Sequence, residues 1–331
     1  MNKKDLRIVF MGTPDFAVPS LEAIVAEGYD VVAVVTQPDR PVGRHGSVSQ
    51  PSPVKQCAIA HGIPVLQPEK MRDAQFVECL RSYNANLQVV VAFRMLPYEV
   101  WAMPEYGTFN VHASLLPQYR GAAPINWALI NGETRTGITT FFIDRQIDTG
   151  RIIMQVPFEI AEEYDAGDVH DALMRLGASV CLSTIAKIID ADGHPASVTQ
   201  ASLSTHAEPL HPAPKIFNET CKIDWTLPAK RINDFIRGLS PHPGAWTTLT
   251  APDGKRGTLK IYKASVAMAD DHCSIAGDSA GTIIAEGKMM RIVAGDGNML
   301  TVRELQLSGK RRMSAADFLN GNKHIEDCHI G

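Results

Sequence analysis

The chain has 331 residues, 45% of them hydrophobic and 21% charged, with a net charge of −4 at neutral pH. That length is too great for one ordinary domain and comfortable for two, and no uninterrupted apolar run reaches membrane-spanning length, so an integral membrane protein is not expected. Charge is unevenly spread: residues 1–209 carry 16 Lys and Arg against 23 Asp and Glu, whereas residues 210–331 carry 16 against 13, so the later part is the one suited to meet a polyanion.

The N-terminal "MNKKDLRIVFMGTPDF" starts basic, but its short apolar run continues as a strand and not as a signal peptide. Further apolar runs follow at 30–37, 63–68, 87–93 and 107–112. Helix-period segments lie between them at 19–28 and 53–62, the second opened by Pro53 and closed by Gly62. Continuous Val/Ile runs alternating with helices predict an α/β fold: a doubly wound, mostly parallel Rossmann-like sheet. Ligands on such sheets bind at the carboxyl ends of strands, here residues 12–16, 37–50, 93–97 and 110–121. The loop after the first strand, "GTPDF", has neither G-x-G-x-x-G nor a Walker A sequence, so no nucleotide cofactor is expected.

Two β-like segments, 136–144 and 150–160, flank "RQIDTG", and a helix over about 168–191 follows, with His170 expected at or near its surface. Residues 192–215 are rich in Pro, Ser, Ala and His and read as a linker. It divides a catalytic domain, 1–191, from a C-terminal domain, 216–331. The latter opens with a helical piece at 228–240 and continues as short strands with glycine-marked turns, the pattern of a small OB-like β-barrel. The six cysteines are scattered, with no C-x-x-C, which fits a reducing, cytoplasmic setting and no structural metal. His324, Cys328 and His329 read as a solvated tail.

Chemistry concentrates in "NVHASLLPQYRG". Asn110 and His112 stand two apart on a strand and so project from one face into the crevice at its end. A histidine there can move protons, and an asparagine amide can donate to a developing oxyanion. Asp144 and Asp148 are the nearest candidates for an acid that orients the imidazole. A buried His–Asn pair satisfied by backbone fits the same two residues, and the residues alone leave both readings open. Asp148-Thr149-Gly150 also matches the aspartic-peptidase signature, but that chemistry needs two such carboxylates and only one copy is present.

"NVHASLLPQYRGAAPINWALINGE" followed by "IDRQIDTG" resembles the 10-formyltetrahydrofolate-dependent formyltransferases. The similarity runs through "RIVFMGTPDFAVPSL", "TQPDRPVGR", "PSPVK", "KIDW" and "GKRRMSAADFLNG", nearly the whole chain. The resemblance implies a catalytic trio at Asn110, His112 and Asp148. It implies folate contacts at Ser114, Leu115, Leu116 and Pro117 and in the loop Phe93, Arg94, Met95 and Leu96, with 10-formyltetrahydrofolate as co-substrate. Among possible acceptors it implies initiator methionyl-tRNA, formylated on its methionine α-amine, with a sugar-nucleotide amine as the alternative. Contacts to that tRNA would come from Arg40 and Arg44 in the 38–55 loop, where His45, Gly46, Ser47 and Val48 replace the further lysines of relatives, and from Lys310, Arg311 and Arg312. A monomer with no membrane partner is expected from the same family.

Overall fold

The computed structural model describes residues 1–42, 48–203, 209–266 and 279–331. They form two compact units that are not contiguous in sequence. The first comprises residues 1–121, 135–159 and 170–212; the second comprises 122–134, 160–169 and 213–331.

The first unit is built on a seven-stranded sheet: β1 (Arg7–Gly12), β2 (Asp30–Val35), β3 (Val65–Leu66), β4 (Leu87–Val91), β5 (Thr108–His112), β6 (Arg135–Phe142) and β7 (Ile152–Glu159). Their spatial order is β7-β6-β5-β4-β1-β2-β3. All pairs from β3 to β5 are parallel, and β6 and β7 add antiparallel at one edge. The chain winds outward from β1 to β3 and then returns to β4 on the other side of β1, so the switch point of the topology lies between β1 and β4. Ile8, Val9, Phe10 and Met11 are all fully buried, as a strand covered on both faces requires.

The helices at Val18–Ala26 and Pro53–Ala60 fall where the sequence periodicity places them. The second is capped by Ser52, whose Oγ accepts the Lys55 N–H at 3.1 Å. The expected helix near 168–191 spans Ala166–Asp190. By length and composition it would pass for a membrane span, although no uninterrupted apolar run in the sequence suggested one. Leu173, Val180, Cys181, Ile185 and Ile188 on this helix are buried, and Thr184 hydrogen-bonds to Thr140 of β6 at 2.8 Å. Burial pushes the Cys181 thiol above its ordinary range. His170 lies near the surface, edge-on to Phe16 with ring centres 5.2 Å apart.

The described parts of the 38–55 loop include paired strands, although its sequence has no apolar periodicity. Arg40–Val42 and Val48–Gln50 pair as an antiparallel hairpin, and the Lys55 ammonium beside Asp39 at 2.6 Å holds that carboxyl below its usual range.

In the second unit the strands β8 (Ala245–Thr250), β9 (Arg256–Val266), β10 (Ile283–Glu286), β11 (Met289–Val293), β12 (Met299–Leu307), β13 (Met313–Ser314) and β14 (His329–Ile330) form one antiparallel sheet in the order β10-β11-β12-β9-β8-β14, with β13 beside β12. It curls over a core that includes Leu259, Ile261, Met290, Ile292, Leu300 and Leu305. The amphipathic helix Ala229–Leu239 packs into that core through Ile232, Ile236 and Leu239 and lies against the short helix Pro124–Ile130. The two helices approach so closely at Gly238 that a Cβ there would stand 2.9 Å from the Ile130 backbone nitrogen. Asp234 of the longer helix is 2% exposed and bonds to Lys230 Nζ at 2.9 Å and Arg237 Nε at 2.8 Å.

Candidate active site

The carboxyl end of β5 lies beside the switch point. Asn110 and His112 project from one face of this strand, as their spacing requires. His112 is buried, edge-on to Phe141 of β6, with ring centres 6.4 Å apart. Its Nε2 lies 2.9 Å from the Tyr119 carbonyl oxygen, to which it can only donate, and its Nδ1 lies 3.9 Å from Asp148 Oδ2. Each ring nitrogen therefore has an oxygen within 4 Å. Asn110 is half-buried, with its amide two residues upstream at the same crevice.

Asp148 stands in the loop joining β6 to β7 and adopts a left-handed φ of +54°, a conformation uncommon for a residue with a Cβ. Its Oδ2 accepts the Gly121 N–H at 2.9 Å. Two residues later the chain needs glycine, because a Cβ on Gly150 would fall 1.6 Å from the Phe142 carbonyl oxygen. Asp144, the other acid considered from the sequence, is exposed and caps its own loop, accepting from the Gln146 N–H and the Thr149 hydroxyl at 2.9 and 2.7 Å. Only Asp148 comes near the histidine.

The segment Ser114–Pro117 runs from the end of β5 and is held from below. Thr139 of β6 donates its hydroxyl to the Ser114 carbonyl at 2.6 Å and accepts the Leu116 N–H at 3.1 Å. Gln155 of β7, directly opposite Thr139 in the sheet, donates to the Leu116 carbonyl at 2.7 Å. The Ser114 hydroxyl, fully buried, closes the turn onto the Gln118 carbonyl at 2.7 Å, and the Leu116–Pro117 peptide is cis. The segment is thus a fixed wall, with the Ser114 and Leu116 carbonyls and the Leu116 N–H all paired. Thr139→Val keeps the shape but leaves the Leu116 N–H unpaired. It should raise the KM for a formyl donor several-fold and cost about 1–3 kcal/mol of stability, measurable by steady-state kinetics and thermal melting.

The family described as formyl transferase matches residues 6–185, and its C-terminal domain matches residues 215–323. The chain belongs to the formyl transferase family. A methionyl-tRNA formyltransferase of Parabacteroides distasonis is 55% identical over 331 residues, covering 100% of both chains. One from Phocaeicola vulgatus is 56% identical over 330 residues, again covering 100% of both. Among solved structures, an N-formyltransferase from Helicobacter canadensis, in complex with folinic acid and dTDP-3-aminofucose, shares the fold with a TM-score of 0.60 at 20% identity, covering 90% of this chain and 98% of its own. The α/β domain with an OB-like β domain expected from the sequence is the formyl transferase architecture.

The remaining expected site residues of this formyl transferase fall into distinct settings. After β4, Ala92 takes a left-handed φ of +48°, and the chain continues as Phe93-Arg94-Met95-Leu96. Leu96 is buried in the core and Phe93 packs against it. Arg94 donates to the carbonyls of Pro68 and Glu69, and burial lowers its guanidinium from the usual range. Met95 is 71% exposed and so is the residue of this loop most open to a ligand. Arg40 is exposed on the hairpin, bonded to Gln37 at 3.0 Å; Arg44 lies outside the described residues. Lys310 and Arg311 are exposed beside β12. Arg312 differs from them: its guanidinium pairs with Glu304 at 2.5 Å and lies over the Tyr262 ring at 4.4 Å. Among the described residues no group of three or more His, Cys, Asp or Glu side chains could hold a metal ion.

Two polar residues at this site escape sequence reasoning. Arg120 donates through Nε and one terminal nitrogen to Gln200 Oε1 at 2.9 and 2.6 Å, and Gln200 Nε2 donates to the carbonyls of Asp148 and Gly150 at 2.8 and 3.0 Å. Gln200 comes from the segment read as linker, 52 residues from Asp148, and a lone glutamine among Ala, Ser and Thr gives no periodic or motif signal.

Proposed function

We propose that this enzyme transfers the formyl group of 10-formyltetrahydrofolate to the α-amino group of methionine on initiator methionyl-tRNA, supplying N-formylmethionyl-tRNA for translation initiation. The observation that carries the reading is the identity of 55% to a methionyl-tRNA formyltransferase across the entire length of both chains. Sugar formyltransferases share the fold at only 20% identity, so the sugar-nucleotide acceptor is the weaker reading.

In this reading the methionine amine attacks the formyl carbon on N10 of the folate. A C–N bond forms, the carbonyl oxygen becomes a tetrahedral oxyanion, and the bond to N10 then breaks as N10 gains the proton that the amine has lost. Asn110 donates its amide to the oxyanion, His112 moves the proton, and Asp148 orients the ring and stabilises its charged form. Ser114, Leu115, Leu116 and Pro117, with Phe93, Arg94, Met95 and Leu96, hold the folate. Arg40 and Arg44 meet the acceptor end of the tRNA, and the 216–331 domain meets its phosphates through Lys310 and Arg311, with Arg312 joining when it leaves Glu304. The enzyme acts as a monomer in the cytoplasm, without a metal or nucleotide cofactor.

The purified chain, given 10-formyltetrahydrofolate with either charged initiator tRNA or a UDP-amino sugar, is expected to formylate the tRNA alone. tRNA binding should weaken steeply with salt. Formylation of only the sugar would overturn the assignment.

A further inference from the structure

We infer that Gln200 is a positioning residue for the transfer, holding Asp148 in register with His112 through the main chain. The inference rests on the reading of Asn110, His112 and Asp148 given under Proposed function.

Gln200 is 3% exposed. Its orientation is settled by chemistry: the carbonyls of Asp148 and Gly150 can only accept and the Arg120 guanidinium can only donate, so the amide nitrogen must face the first pair and the oxygen the second. All of its hydrogen-bonding capacity is then used, two N–H donors at 2.8 and 3.0 Å and one oxygen receiving two bonds at 2.9 and 2.6 Å. The segment that delivers it is itself anchored. Val198 exchanges both backbone hydrogen bonds with Ile152 at 2.8 and 2.9 Å, and Arg151 bonds to the Ser197 hydroxyl at 3.0 Å.

The same dipeptide, Arg120-Gly121, thus grips Asp148 from two sides. The Gly121 N–H holds the carboxylate directly, and Arg120 aims the glutamine that holds the backbone carbonyls on either side of Thr149. Asp148 needs such a clamp. A left-handed φ on a non-glycine residue persists only where surrounding contacts over-determine it, and its carboxylate is 3.9 Å from His112 Nδ1. A displacement of about 1 Å would remove that interaction, and misplacement of this size can cost about two orders of magnitude in rate.

Two substitutions separate the donor function from packing. Gln200→Met keeps the volume and loses every hydrogen bond. Gln200→Glu keeps the acceptor for Arg120 but has no N–H for the two carbonyls, and it decides the matter if the methionine variant does not fold. Both are expected to lower kcat by about 10- to 100-fold, with the KM for 10-formyltetrahydrofolate and the affinity for tRNA within about twofold of wild type. In an Asp148→Asn background the same changes should add little, since the group they position is already lost. Histidine-selective 15N NMR supplies a readout that needs no acceptor: the His112 ring signal, identified by its absence in His112→Ala, should shift in Gln200→Met as it does in Asp148→Asn. Wild-type kcat in folded Gln200→Glu, full additivity with Asp148→Asn, or an unmoved His112 signal would each overturn the inference. Failure of the wild-type chain to formylate tRNA would overturn the function proposed above instead, and the NMR comparison would still decide the role of Gln200.

Discussion

His112→Ala and Asp148→Ala should each lower the turnover of formyl transfer by about two to three orders of magnitude, while leaving the binding of a non-reactive folate within a few-fold of wild type. The expectation follows from separate attachments. The wall at Ser114–Pro117 is held by three hydrogen bonds to Thr139 and Gln155, and none of them passes through the histidine or the acid. In the mechanism proposed above the histidine and the acid act as one unit, so the double variant should fall little below His112→Ala alone. Single-turnover kinetics beside equilibrium binding measures this. Near-normal turnover in either variant would remove the trio from the mechanism.

The second large effect is on stability. Asp234→Ala should destabilise the second unit by about 3–5 kcal/mol, because removing one member of a buried ion pair strands its partner. Asp234 is 2% exposed, and Arg237, whose side chain is 12% exposed, also bonds to the Tyr164 carbonyl at 3.2 Å; with the carboxylate gone, its charge stays buried without a counter-charge. A fall on the order of 10 °C in the thermal transition of that unit is expected. Lys230→Ala should cost under about 1 kcal/mol, since Lys230 is 60% exposed and water screens its pairing. Calorimetry of both variants makes the comparison, and equal losses would refute the buried-pair account.

How far these features were legible in the sequence depends on whether they are local. The strand β5 and its two inward side chains follow from periodicity alone, and the parallel strands β1 to β5 follow from uninterrupted apolar runs. The helix at Pro53–Ala60 carries its own boundary signals in Pro53 and Gly62. Periodicity did not separate a buried His–Asn pair from a catalytic one. The sequence names Asp144 and Asp148 as candidate acids without choosing by spacing, and the structure puts Asp148, 36 positions from the histidine, 3.9 Å from its ring. The antiparallel edge β6–β7 reads as strand but not as an antiparallel partner, because direction is set by the connection and not by side-chain period. The supports Thr139, Gln155, Arg120 and Gln200 are ordinary polar residues whose roles exist only once separate segments are folded together. The helix Pro124–Ile130 follows the site directly in sequence yet belongs to the second compact unit, since its partner helix begins about a hundred residues later.

The β6–β7 hairpin carries three jobs on one piece of chain. Thr139 props the wall, Phe141 flanks the histidine, and the connecting loop presents Asp148. Thr139 and Phe141 share a face by strand alternation. A single-residue deletion within β6 would bring Ile138 and Thr140 to that face and withdraw both supports together, since a one-residue slip turns every side chain over. Such a change has no partially working intermediate. The stretch Asp144–Ile147, exposed on the loop, carries no such penalty, so diversification of this enzyme can proceed by substitution at the loop tip while β6 keeps its register.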